Sequence, residues 1–333
     1  MPRFASVFSA VIIASAVGCG ASQQARDSNP GAGKFKMGMM PKIASIAYFK
    51  ACEQGAREAA QELGIDFVYD GPDRDDVRDQ IRMLEQWITE GYDCIAVAPN
   101  DPASISGVLE KAQRKGITVL TFDADADSGR QYFVNQVSYD DIAHTLLDTL
   151  VEEMGPEGKV GILTSTLQAP NQSQWAKRMR QYREARYPKI QLLDEYESQE
   201  NSKLGIDRAK DMIQAHPDLK GIIGLTSIAF PAAAEAVEQQ GKKGQVHVVG
   251  LSLPREMRKY VHNGTVKTVI LWKPVDLGYL TVHVADLVRK GHMKGEGKIR
   301  AGRLGDIEAR DGYEVLLGPP MKFTAENIDQ YDF

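Results

Sequence analysis

The chain has 333 residues, 43% of them hydrophobic and 26% charged, with a formal net charge of −5. That length favours two lobes over one, and the apolar content is that of a globular protein, not a disordered one. The mild negative charge argues against a nucleic-acid surface.

Residues 1–19 stand apart. Met1-Pro2-Arg3 is a short basic start, residues 4–17 are apolar and small, and Ala16-Val17-Gly18-Cys19 follows. This layout is that of an export signal, too short to span a bilayer comfortably. A cysteine directly after small residues resembles a bacterial lipobox, with Ala16 where that pattern prefers leucine; Cys19 is the expected lipidation site. The alternative is ordinary cleavage near Ala21. Residues 20–34 are polar, rich in Gly, Ser and Gln and without periodicity, and read as a flexible tether. No second apolar run is long enough for a transmembrane helix. Cys52 and Cys94, both in regular elements, read as small buried thiols outside any disulfide framework.

Beyond the tether, strand-like and helix-like stretches alternate. Residues 36–43 predict a strand ending at Pro41-Lys42, and 49–63 a helix that stops at Gly64. A strand at 65–69, a helix at 75–90, a continuous apolar strand at 94–98 and a helix at 102–115 follow. The stretch 118–127, TVLTFDADAD, is a short β-branched run that ends in acids at alternate positions. Such a run reads as a strand buried on both faces. Its carboxylates then sit at the strand's C-terminal edge, where open α/β sheets bind small ligands. After a strand at 132–135 the plan begins again. Helices are predicted at 142–154, 174–187, 204–215, 231–240 and 256–262, and strands at 159–163, 190–195, 221–225, 246–251 and 266–271. A long helix at 275–290 closes the pattern, before an irregular segment with a β-like stretch at 313–317.

The expected fold is α/β, with two similar lobes, each a parallel sheet flanked by helices. A ligand cleft between the lobes follows, since pockets favour such interfaces. Residues 35–136 with 274–292 form the expected N-terminal lobe and 137–273 the C-terminal lobe, with 293–333 a tail packing near the hinge. The lobes should join by three crossings, near 135–138, 271–274 and after Gly291.

No catalytic or metal motif emerges. The six histidines form no HExxH pair and no Cys/His cluster exists, so no metal site is expected. There is no GxSxG elbow and no GxGxxG after the first strand. Gly31-Ala32-Gly33-Lys34 lacks phosphate-loop spacing. Asp123-x-Asp125-x-Asp127 fails as a calcium loop, because Ser128 and Val134 occupy the positions that need glycine and a bidentate acid. Asp125 and Asp127 read as solvated turn residues. Asp123, at the strand end, is the candidate ligand acceptor, a carboxylate suited to ligand hydroxyls. No cofactor is implied.

With these features in view, the chain resembles the substrate-binding proteins of sugar ABC importers, of type I periplasmic binding protein fold. It is most similar to the branch that holds the rhamnose-binding and autoinducer-2-binding proteins. The strings that carry the resemblance are MMPKIASIAYF, ELGIDFVYDGP, GYDCIAVAPNDP, GITVLTFDADAD, NQSQW, FPAAAEA, GTVKTVILWKPVDLGYL and LGPPMKFTAENIDQYDF. They run from about Lys36 to Phe333.

The resemblance implies that Lys42 contacts ligand oxygens and that Asp123 accepts from ligand hydroxyls. Asn171-Gln172 occupies the place of an Asp-Gln pair, and Pro231 and Ala233 offer backbone groups and shape. Pro231 has no N–H and can give only a carbonyl and a fixed turn. Asn171 exchanges a charge for an amide donor, and this points to a deoxyhexose such as rhamnose first and autoinducer-2 second. Lys273 stands where rhamnose-type members typically have asparagine. Phe49, Trp175 and Trp272 are the candidate stacking surfaces for a sugar ring. The implied partners are a monosaccharide-like ligand and a membrane permease, the implied location is the periplasm or cell envelope, and the implied state is a lipid-anchored monomer.

Two rivals remain. An exported sugar-acting enzyme would need a general acid and base, for which Asp123 with Asp194 or Glu195 is the only pair on offer. A receptor subunit that reports ligand to a membrane sensor would look the same in sequence. A DNA-binding repressor of this fold is excluded, because an export signal stands where its helix-turn-helix would be.

Overall fold

The protein, a computed structural model, is described over Met1, residues 34–293 and residues 295–333. The expected export segment with Cys19, and the tether up to Gly33, lie outside the described residues.

The first half runs β1 (Lys36–Met40), α1 (Ala47–Leu63), β2 (Asp66–Tyr69), α2 (Val77–Thr89), β3 (Cys94–Val97), α3 (Pro102–Arg114), β4 (Thr118–Phe122) and β5 (Tyr132–Asn135). The chain then builds α4 (Tyr139–Met154), β6 (Gly158–Thr164), α5 (Pro170–Arg186), β7 (Ile190–Glu197), α6 (Ser202–Ala215), β8 (Leu219–Gly224), α7 (Ala229–Gln239), β9 (His247–Leu251), α8 (Pro254–His262) and β10 (Val269–Leu271). Last come α9 (Pro274–Arg289), β11 (Gly297–Arg300), β12 (Asp306–Arg310), β13 (Glu314–Leu316) and β14 (Met321–Phe323).

Two sheets result. The 8-stranded sheet has the order β11-β12-β13-β5-β4-β3-β1-β2, and the 6-stranded sheet β14-β10-β9-β8-β6-β7. Each has a parallel centre: β1 to β5 with β13 in the first, β6 to β10 in the second. Antiparallel strands are added at the edges, β11 and β12 in one and β14 in the other.

The alternation of side chains along a strand explains the helix layers. Met37, Met39, Ala96 and Leu120 join Phe49, Cys52 and Ala56 of α1 on one face. Met40, Ile95, Val97 and Val119 join Leu84 and Trp87 of α2 and Ile105 and Leu109 of α3 on the other. The helix α9 returns to the first lobe and lies along α1. A methyl group on Gly55 would overlap the Val275 carbonyl, and one on Gly278 the Cys52 carbonyl. Glycine at both positions is what lets these two backbones touch. Cys52 and Cys94 are buried free thiols.

The third crossing, expected in the region after Gly291, runs from β13 to β14 through residues 317–320. Two findings correct the sequence expectations. The segment 293–333 is no tail, because β11–β13 extend the first sheet and β14 edges the second. These strands are short and glycine-punctuated, and so left little period-2 signal. Finally, α5 starts at Pro170 rather than residue 174. Proline at the first helical position needs no N–H partner, and it draws Asn171 and Gln172 into the first turn.

Candidate ligand-binding site

The C-terminal edges of the two sheets face one another, and a cavity of about 50 Å³ lies between the lobes. Its walls are the ends of strands and the first turns of the helices that follow, as open α/β topology dictates. Lys42, Phe49, Asp123, Asn171, Gln172, Trp175 and Trp272 all line it. Pro231 and Ala233 do not. They sit inside the first two turns of α7, where Ala233 is fully buried, because that helix begins at Ala229, earlier than the proline suggested. Asp194 is exposed and Glu195 pairs with Arg180 beside a separate cavity, so neither reaches Asp123.

Asp123 follows β4 directly and is 4% exposed. Its φ is 62°, in the left-handed region that only glycine, asparagine and aspartate enter with ease. An aspartate there is less strained than a bulkier side chain would be, and backbone of this kind gathers at functional sites. The twist turns the carboxylate into the cleft. Tyr48 donates its hydroxyl to Oδ1 at 2.8 Å, and Lys42 Nζ lies 3.6 Å from Oδ2. Burial raises the carboxyl's pKa, while the Lys42 ammonium and the Tyr48 hydroxyl pull it back. Burial, then the nearby Asp123 charge, also pushes the Tyr48 phenol well up, so Tyr48 remains a donor.

Lys42 and Asn171 bridge the lobes. Lys42 Nζ donates to Asn171 Oδ1 at 2.8 Å, and Asn171 Nδ2 donates to Asp123 Oδ2 at 3.3 Å. Lysine, aspartate and asparagine thus form one closed polar circuit. A charge pair held this far from water is tolerable only with such satisfied geometry. Gln172 is held differently. Its Oε1 accepts from the Thr164 hydroxyl, from Ser165 N at 2.7 Å and from Ser165 Oγ at 3.0 Å. With the carbonyl saturated, its amide nitrogen is the group left for a ligand.

The apolar wall is aromatic. Tyr48 packs edge-on against Phe49 and Trp272, with ring centres 5.0 and 6.0 Å away, and Trp272 Nε1 donates to the Tyr48 hydroxyl at 3.0 Å. Trp175 and Trp272 lie 6.2 Å apart. Trp175 is 2% exposed, yet its ring N–H has no partner among the described residues. A buried donor left open beside a cavity is a group waiting for an acceptor.

The sequence reading missed Tyr48 as a polar contact, and it missed Glu200 and Thr226 altogether. All three line the cavity. Glu200 follows β7 and accepts from the Thr226 hydroxyl at 3.1 Å. No run of alternating residues marks the turn that carries it, so only the strand-end position could have singled it out. Among the described residues, no cluster of His, Cys, Asp or Glu is placed to hold a metal ion. No helix there is long and apolar enough to cross a membrane.

Nothing in this arrangement assembles a nucleophile with a base. It offers hydroxyl-binding groups, flat apolar faces and two lobes in contact through them. Comparison with known proteins agrees. The chain is 22% identical to the ribose import binding protein of Bacillus subtilis over 272 residues, 81% of this chain and 87% of that one. A solute-binding protein of an ABC transporter from Clostridium phytofermentas, with bound L-rhamnose, superposes with a TM-score of 0.85 at 27% identity, covering 90% of this chain and 98% of that one. LsrB from Clostridium saccharobutylicum, in complex with AI-2, gives a TM-score of 0.84 at 25% identity, covering 90% and 100%. The model of the periplasmic binding protein domain matches residues 37–293, and the chain therefore belongs to that family.

Proposed function

We propose that this chain is the solute-capturing component of a sugar ABC importer, taking a small monosaccharide between its lobes and delivering it to a membrane permease. The observation that carries this reading is the Lys42–Asp123–Asn171 circuit set against the Tyr48, Trp175 and Trp272 rings. Sugar hydroxyls both donate and accept, so they can replace each link of that circuit. The C–H faces of the ring pack on the indoles. The lobes close on the ligand because groups from both contribute to its binding, and the closed form is what the permease recognises.

Lys42 offsets one of the two cavity acids, Asp123 and Glu200, and Asn171 adds no charge, which disfavours an anionic ligand. A 6-deoxyhexose of the rhamnose type is the first choice, in keeping with the L-rhamnose-bound relative. AI-2 is the second, favoured by Lys42, Asp123 and Gln172 and by the AI-2-bound relative. The protein acts at the periplasm or cell envelope, held through a lipid on Cys19.

Calorimetric titration with L-rhamnose, D-ribose, D-galactose and AI-2 tests the reading. Saturable binding of rhamnose above the others supports it. Binding of AI-2 alone transfers the role to that ligand, and heat from none of them refutes the sugar assignment.

A further inference from the structure

Among the described residues that line the cavity, Glu200 is the one acid that the circuit around Asp123 does not use. It stands on the second lobe, in the turn between β7 and α6, and this turn is firmly held. Ser198 is fully buried and both its N–H and its hydroxyl donate to the Thr164 carbonyl at 2.8 Å. Gln199 N donates to the Ser165 carbonyl at 2.8 Å, and Asn201 caps α6 through Leu204 N. Between these anchors, Gln199 and Glu200 both take left-handed backbone, at φ 51° and 49°. Two successive non-glycine residues in that region are strained. The turn so held places the Glu200 side chain in the cavity wall.

The carboxylate is half engaged. Oε2 accepts from the Thr226 hydroxyl, whose own oxygen accepts from Ile228 N and Ala229 N at the start of α7. That threonine is therefore fixed as a donor to Glu200. Oε1 has no hydrogen-bond partner among the described residues. The geometry points to Glu200 as the second lobe's specificity residue: Oε1 accepts a ligand hydroxyl, and a monosaccharide without a hydroxyl at that position is rejected. This assignment rests on the sugar-binding reading and names the residue that chooses among sugars.

The charges that face Glu200 come from three other segments. Lys42 follows β1, Asp75 precedes α2 and Asp123 follows β4. Burial pushes the Glu200 carboxyl up to about 7; the Thr226 hydroxyl and the Lys42 ammonium pull it down, and Asp75 and Asp123 raise it further. A ligand hydroxyl donated to the carboxylate favours the ionised form. Binding then releases a proton below neutral pH, and affinity rises with pH until the free carboxyl is fully ionised.

The test is calorimetry on the wild-type chain and on the Glu200→Gln and Glu200→Asp variants, with L-rhamnose, D-ribose, D-allose and D-galactose at pH 5.5 and 8.0. Glutamine keeps the shape and removes the charge; aspartate keeps the charge and withdraws the group. We expect the wild type to bind its best sugar several-fold more tightly at pH 8.0 than at pH 5.5. Both variants should lose about tenfold for that sugar and narrow the spread across the panel, and Glu200→Gln should lose the pH dependence. Wild-type ranking and pH profile in both variants would overturn the assignment. If Asp123→Asn abolishes binding while both Glu200 variants behave as wild type, only the role of Glu200 falls. If the wild type binds no sugar of the panel, the sugar reading falls and the assignment with it.

Discussion

The seam between α1 and α9 and the cleft between the lobes are both tightly closed, by opposite means. At the seam, Gly55 and Gly278 bring backbone against backbone, and the polar contact is peripheral to them, Tyr279 donating its hydroxyl to Glu62 at 2.5 Å. At the cleft, Lys42, Asp123 and Asn171 are buried as a hydrogen-bonded circuit, with Asp123 on left-handed backbone. The glycine contact of the seam leaves no room for change. The cleft stores polar groups that would each bind more comfortably to something else. Stability is concentrated in the first place, and binding capacity in the second.

Filling the seam should have the largest effect. Gly278→Val places a branched side chain against the Cys52 carbonyl, and overpacking against backbone costs about 3 kcal/mol or more. A melting scan should show a fall on the order of 5–10 °C or no folded protein at all. Asp123→Asn should act mainly on binding. Asparagine tolerates the same left-handed backbone but leaves the buried Lys42 ammonium without its counter-charge, so melting should fall less than in Gly278→Val while ligand affinity falls about 100-fold. A fall in melting as large as that of Gly278→Val would mean the circuit serves the fold after all.

Smaller changes sharpen the contrast. Asn171→Asp places a second carboxylate beside Asp123 Oδ2, and two acids this close share a proton. The variant should shift the ratio of AI-2 to rhamnose affinity about tenfold toward AI-2, read by competition titration. Glu153, on α4, gives the smallest effect. Burial raises its carboxyl to about 7, with Lys267 and Thr268 pulling it down, yet it lines no part of the ligand cavity. A carboxyl raised on folding favours the native state at low pH, and that contribution is lost as pH rises from about 4.5 to 7. Glu153→Gln should flatten this part of the stability profile, gain on the order of 1 kcal/mol at pH 8, and leave ligand affinity unchanged. Glu153 and Glu200 thus titrate alike, and only position separates a buried acid from a binding acid.

Much of this was legible in the residues. The run TVLTF ends where Asp123 turns into the cleft, and Pro41-Lys42 ends β1 at the same edge. Both follow from the rule that places ligands at the C-terminal ends of parallel strands. The string SQEN after β7 obeys the same rule, but a polar tetrapeptide looks like any solvated loop until its backbone angles are known. Tyr48 was visible as an aromatic, while its hydroxyl bridge between Asp123 and Trp272 joins residues 75 and 224 positions away, which no local pattern records. The position of the third crossing was hidden for a related reason. The three-residue strands on either side of it, β13 and β14, pair with β5 and β10, which lie far back in the chain.

The placement of the tryptophans has an optical consequence. Trp87 is stacked on Tyr92 in the first lobe, away from the cleft. Trp175 stands on α5 of the second lobe and Trp272 on the crossing into α9, with their indoles 6.2 Å apart. Two indoles at that separation share their excited states, and the third contributes a constant background. Any motion that parts α5 from the crossing uncouples them, and a sugar between them changes the coupling without altering Trp87. The molecule therefore carries its own gauge of opening and closing, readable in near-ultraviolet dichroism or fluorescence without a label.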